Sequence, residues 1–145
     1  MKITEVLLVD DNPADTDLTT EVLTRNSCPS HIHTVGDGAE AMAFLRRQGK
    51  YAGMLRPDFV ILDLSLPGKD GRAVLAEVKG DLHLRKIPIA IFSTSEARQD
   101  IIRSYELGAN CYVSKPGNLR DFISAVTSIG EFWFGLVHLP QEEKP

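Results

Sequence analysis

Five side chains in this sequence are of types that could do chemistry together: Asp10, Asp11, Asp63, Ser93 and Lys115. Each stands at or just past the end of a short apolar run. Glu5–Val9 (EVLLV) leads into Asp10-Asp11 and Phe59–Leu62 (FVIL) into Asp63, while Ile87–Phe92 (IPIAIF) leads into Ser93-Thr94-Ser95 and Cys111–Val113 into Ser114-Lys115-Pro116. Three carboxylates brought to one place raise one another's pKa unless a cation sits among them. Hard oxygen ligands with room for water suit Mg²⁺ or Mn²⁺, and such a site uses only one or two carboxylates. Asp63 then remains available as a nucleophile, the role of carboxylates that form aspartyl phosphates. Lys115, a point charge on a flexible stem, can neutralise Asp63 or a phosphoryl oxygen attached to it, and Ser93 can offer a hydroxyl. Three aspartates balance one divalent cation and one lysine. A phosphoryl group adds a charge of about −1.5 to −2, so new donors must move in, and the pocket reads as a switch as well as a reaction site.

The elements that must position these residues alternate along the chain. After the Glu5–Val9 strand, Asn12 or Asp11 caps a helix with Pro13 in its first turn and Leu18, Val22 and Leu23 at helical spacing. His31–Val35 reads as a second strand closed by Gly36-Asp37-Gly38, and Ala39–Arg47 as a helix ended by Gln48-Gly49. The continuous apolar run Phe59–Leu62 is what a parallel sheet covered on both faces requires. Gly71–Val78 follows as a helix, Ile87–Phe92 as a strand, Arg98–Leu107 as a helix stopped by Gly108, Cys111–Val113 as a strand, and Asn118 onward as a long final helix. Five such βα units predict an α/β fold, a doubly wound parallel sheet with right-handed crossovers and helices on both faces. Ligands in these folds sit at the carboxyl ends of the strands, where the five residues lie.

The 145 residues suit one domain, with 43% hydrophobic and 25% charged residues in the ordinary globular range. A net charge of −4 lacks the basic excess of a nucleic-acid binder, so no direct nucleic-acid partner is expected. No apolar run is long enough to span a bilayer and the N-terminus does not resemble a secretion signal, which predicts a cytoplasmic protein without a membrane partner. Cys28 and Cys111, 83 positions apart with no metal-type spacing, read as reduced thiols. His31 and His33 share a strand face but have no further ligand cluster, so no zinc site is expected; His83 and His138 read as surface residues.

Four separated segments, VLLVDDNP, FVILDLSLPGKDG, IPIAIFSTSEA and GANCYVSKP, together resemble the receiver domain of bacterial two-component response regulators over about residues 4–130. The resemblance implies a flavodoxin-like five-stranded sheet in the order 2-1-3-4-5, with a receiver domain over 1–130 and a C-terminal extension of the last helix and tail over 131–145. It implies Asp63 as phospho-acceptor, Asp11 as a direct Mg²⁺ ligand, Asp10 as the acid holding a metal-bound water, and a further ligand from the Ser65 backbone carbonyl. Ser93, rather than Thr94, matches the switch hydroxyl by its distance from Lys115, and Tyr112 matches the aromatic switch, with simple packing as the other reading of Tyr112. Thr94 and Ser95 read as helix-capping hydroxyls. The long approach Gly49–Pro57 and the tail GEFWFGLVHLP are similar to single-domain regulators served by bacterial phytochromes. The implied partner is a sensor histidine kinase, with a phytochrome as a candidate. The implied activity is a phospho-acceptor switch with at most self-catalysed phosphotransfer and autodephosphorylation rather than an enzyme, and a downstream protein target of unknown identity.

Two other classes share part of this pattern. A haloacid-dehalogenase-type phosphatase also uses an aspartyl nucleophile with Mg²⁺, but it requires a second acid two residues on, where Ser65 stands. A non-phosphorylated interaction module would take up no phosphate. In the tail, Leu119, Phe122, Ile123, Val126, Ile129, Phe132, Trp133, Phe134, Leu136 and Val137 spread over about 200° of a helical wheel, wider than one sheet face needs. The surplus, with Phe132-Trp133-Phe134 at its centre, predicts an exposed patch and a homodimer through it; the alternative is a tail folded back on its own domain.

Overall fold

A computed structural model describes residues 2–141. Its strands are β1 (Thr4–Val9), β2 (Ser30–Val35), β3 (Phe59–Leu62), β4 (Ile89–Ser93) and β5 (Cys111–Ser114), all parallel and ordered β2-β1-β3-β4-β5. The helices are α1 (Pro13–Thr24), α2 (Gly38–Leu45), α3 (Gly71–Gly80), α4 (Arg98–Glu106) and α5 (Leu119–Gly130). The expected flavodoxin-like architecture and strand order are the ones observed. β1, β3 and β4 are buried on both faces, as their unbroken apolar runs require.

Alternation along each strand splits the core in two. Leu7, Val9, Val60, Leu62, Ile89 and Ile91 pack with α2 and α3, whereas Val6, Leu8, Phe59, Ile61, Ala90 and Phe92 pack with α1 and α5. Side-chain caps open α1 and α2. Asn12 caps α1 by accepting from the Asp15 N–H at 3.1 Å, with Pro13 as the first helical residue, and Asp37 caps α2 by accepting from Glu40 at 2.7 Å. The approach to β3 contains a 3-10 turn over Gly49–Tyr51.

The final helix departs from the sequence reading. After Gly130 the chain continues as a π-helical segment, Glu131–Leu136, in which the Val137 N–H donates to the Phe132 carbonyl five residues back. This wider winding turns less per residue than an α-helix. Trp133 and Phe134 therefore both stay over the sheet. Trp133 stacks on Phe59 with ring centroids 4.8 Å apart, and Phe134 meets the same ring edge-on at 6.3 Å. The expected exposed Phe132-Trp133-Phe134 patch is thus divided, because only Phe132, together with Leu136, Leu119 and Ile123, remains exposed. Past the tail's turn, Gln141 donates to Asp58 at 3.0 Å, and Asp58 also accepts the Glu5 N–H at 2.8 Å.

Candidate functional site

Parallel register brings the chemistry to one edge. Val9 pairs with Leu62, so Asp10 and Asp63 leave adjacent strands side by side, with the Asp63 N–H donating to the Val9 carbonyl at 2.9 Å. On the other side Ser93 pairs with Ser114, and the Lys115 N–H donates to the Ser93 carbonyl at 2.7 Å. Asp10, Asp63, Ser93 and Lys115 are all buried, while Asp11 is exposed at the rim.

Lys115 is the hub. Its Nζ donates to Asp10 at 2.6 Å, to Asp63 at 2.9 Å and to Asp15 at 2.9 Å. Burial alone would push the lysine's pKa down, but these three hydrogen bonds outweigh it and hold the ammonium above its ordinary range. The Asp10 carboxyl is pushed up, chiefly by burial and further by the neighbouring Asp63, against the lowering pull of Lys115 and the Asn12 N–H. Among the described residues, Asp10, Asp11 and Asp63 bring one carboxylate oxygen each to within 4.8 Å of one another. An all-oxygen set of this kind fits a hard divalent cation such as Mg²⁺ or Mn²⁺.

The remaining sequence-predicted residues surround this cluster. Ser65 is exposed beside it and its N–H donates to Asp63 at 3.2 Å. Tyr112 is half-buried, and its hydroxyl donates to the Ser95 carbonyl at 2.8 Å, which ties β5 to the loop after Ser93. Ser95 does not cap α4, whose N-cap is Ala97 without a side-chain hydrogen bond; its hydroxyl donates to Asp100 at 2.6 Å and accepts the Ala97 N–H at 3.3 Å, while Arg72 of α3 holds the other Asp100 oxygen at 2.6 Å. His31 and His33 turn their ring nitrogens toward the buried Glu5, at 3.0 and 3.7 Å. His83 and His138 are exposed, and both cysteines are free thiols.

Sequence reasoning missed two members of the site. Asp15, in the first turn of α1, is not among the residues the sequence reading gathers at the site, and its spacing alone signals no contact with Lys115. It alters the charge balance: with Asp11 at the rim, the site holds four carboxylates, not three, for one lysine. Gly71, at the start of α3, lies so close to the end of β3 that a Cβ there would fall 2.2 Å from the Asp63 carbonyl oxygen. Nothing in its local sequence signals that approach.

Comparison with known proteins agrees with this geometry. The model of the "Response regulator receiver domain" matches residues 6–127. The chain is 45% identical over 135 residues to response regulator Rcp1 of Synechocystis sp., covering 93% of this chain and 92% of that protein. The crystal structure of the Mn²⁺-bound form of Rcp1 superposes with a TM-score of 0.92 at 44% identity, over 95% of this chain and 99% of that one. The phosphorylated cyanobacterial phytochrome response regulator RcpA superposes with a TM-score of 0.93 at 46% identity, over 97% and 100%. A match over most of the chain, with the acidic cluster and the lysine at the strand ends where the fold gathers its ligands, makes this chain a member of the response regulator receiver domain family.

Proposed function

We propose that Asp63 accepts a phosphoryl group from the phosphohistidine of a sensor histidine kinase, and that the protein signals through the resulting change of its surface. The observation that carries this reading is the buried Lys115 ammonium bonded to both Asp10 and Asp63 at the carboxyl ends of β1 and β3. An Asp63 oxygen forms the new bond to phosphorus as the phosphorus–nitrogen bond of the donor breaks, and the electron pair leaves on the imidazole nitrogen. Asp10, Asp11, Asp63 and the Ser65 carbonyl would hold Mg²⁺ or Mn²⁺, which when bound neutralises charge on the phosphoryl oxygens. Lys115 and the Ser93 hydroxyl then follow the added charge, and Tyr112 moves with the loop whose Ser95 carbonyl it holds. Water later takes the phosphoryl group and Asp63 returns as a carboxylate, so the protein works as a switch with self-catalysed turnover at most.

A phytochrome-type kinase is the donor class best supported, because the likeness to a phytochrome regulator extends over the tail as well as the site. The signal leaves through a second copy of the chain or a downstream protein partner. Exposed Phe132, Leu136 and Ile123 on the final segment and Ile102 and Tyr105 on α4 support a homodimer through this side. No helix among the described residues is long and apolar enough to cross a membrane, in keeping with action in the cytoplasm. The test is incubation with acetyl phosphate and Mg²⁺ followed by intact mass measurement. One phosphoryl group should appear on the native chain and none on Asp63→Asn, and stoichiometric labelling of the variant would overturn the assignment.

A further inference from the structure

We infer that Asp15 is a positioning residue that competes with the phosphoryl group for Lys115 and so limits how readily the phosphorylated state of Asp63 is populated. The inference rests on the reading of Asp63 as the acceptor.

A lysine ammonium has three N–H donors and no more. Here three different carboxylates, those of Asp10, Asp15 and Asp63, take hydrogen bonds from Nζ at 2.6, 2.9 and 2.9 Å. Phosphorylation turns the Asp63 carboxylate into an acyl phosphate, so the N–H it held passes to the phosphoryl oxygens, and a second donor for that more highly charged group must be taken from Asp10 or Asp15. Burial decides which. The side chains of Asp10 and Asp63 are only 5% and 9% exposed, whereas that of Asp15 is 27% exposed. Releasing Asp15 lets water replace the lost hydrogen bond, while releasing Asp10 would leave a buried charge unpaired. Asp15 also approaches from α1, outside the sheet, with its backbone pinned by the Asn12 cap, so its side chain can swing out without moving the helix. The resting state thus holds the lysine in a bond that phosphorylation has to break.

The measurement is the affinity for beryllofluoride, a phosphoryl mimic, by titration calorimetry at fixed Mg²⁺ on the native chain, Asp15→Asn, Asp15→Ala and Asp15→Glu. Both neutral variants should bind about fivefold more tightly or better, and Asp15→Glu, which restores the charge, should return toward the native affinity. In a Lys115→Met background the gain from Asp15→Asn should fall below about twofold, because the contested donor is gone. Thermal melting without beryllofluoride tests folding of each variant, and two neutral variants guard against a defect in either. Unchanged or weaker binding by both, or an equal gain with and without Lys115, would overturn the inference. Failure of the native chain to bind beryllofluoride would instead overturn the acceptor reading on which it rests.

Discussion

The Cα of Gly71 packs directly against the backbone carbonyl of Asp63, and its N–H donates to the Leu64 carbonyl at 2.9 Å. The start of α3 thereby presses on the strand end that carries the candidate acceptor. A residue with no obvious chemistry fixes where the candidate acceptor carboxylate stands. The opposing atom is backbone and cannot rotate away, so the contact tolerates no side chain.

Gly71→Ala should accordingly destabilise the fold by about 2–4 kcal/mol, since the methyl group would force strand and helix apart. Urea denaturation monitored by circular dichroism checks this. A loss of less than about 0.5 kcal/mol would mean that the loop before α3 yields easily.

Lys115→Ala should leave Asp63 open to phosphorylation by acetyl phosphate but uncouple it from the surface, since the ammonium is the contact that senses charge on Asp63. Ser93→Ala should do the same more mildly. Amide chemical shifts of α4 and β5 with and without beryllofluoride report the conversion, and full native-like shifts in both variants would contradict these roles.

The divided aromatic cluster separates stability from association. Trp133→Ala should cost about 2–3 kcal/mol of folding stability by removing the stack on Phe59. Phe132→Ala, at an exposed position, should leave stability nearly unchanged yet shift the protein toward monomer in sedimentation at micromolar concentration. Truncation after Gly130 should do both. A native chain that is monomeric there with and without phosphorylation would refute the dimer.

Acid should loosen the face that carries α3 and α4. Hydrogen bonds from Ser95 and Arg72 hold the Asp100 carboxyl below its usual range, and Lys69, with help from Arg46, does the same for Glu77. A carboxyl depressed in the folded state contributes stability that is present above its unfolded pKa and lost as pH falls through the folded one. Asp10 has the opposite sign, because its raised pKa makes protonation in the folded state favourable. Between about pH 4.5 and 2.5, melting temperature should fall, and Asp100→Asn should flatten that fall while lowering stability at neutral pH. A variant with an acid limb as steep as the native one would contradict the assigned ion pair.

Strand-length apolar runs, their polar ends and the caps at Asn12 and Asp37 were local properties, so the sequence by itself determined the alternating fold and brought Asp10, Asp11, Asp63, Ser93 and Lys115 to one sheet edge. Hydrophobic burial on both faces of β1 and β3 leaves a parallel sheet little choice, and its register then places the strand ends together. Three features depended on distances that no spacing encodes. Asp15 meets Lys115 across 100 residues because α1, packed against β2 and α5, carries it to the pocket. Gly71 owes its constraint to the carbonyl of another element, and the tail's fate turned on how Trp133 and Phe134 could both reach Phe59. A helical wheel assumes a fixed rotation per residue. The π-helical segment breaks that assumption, and its smaller rotation per residue holds two adjacent aromatic rings, Trp133 and Phe134, against Phe59.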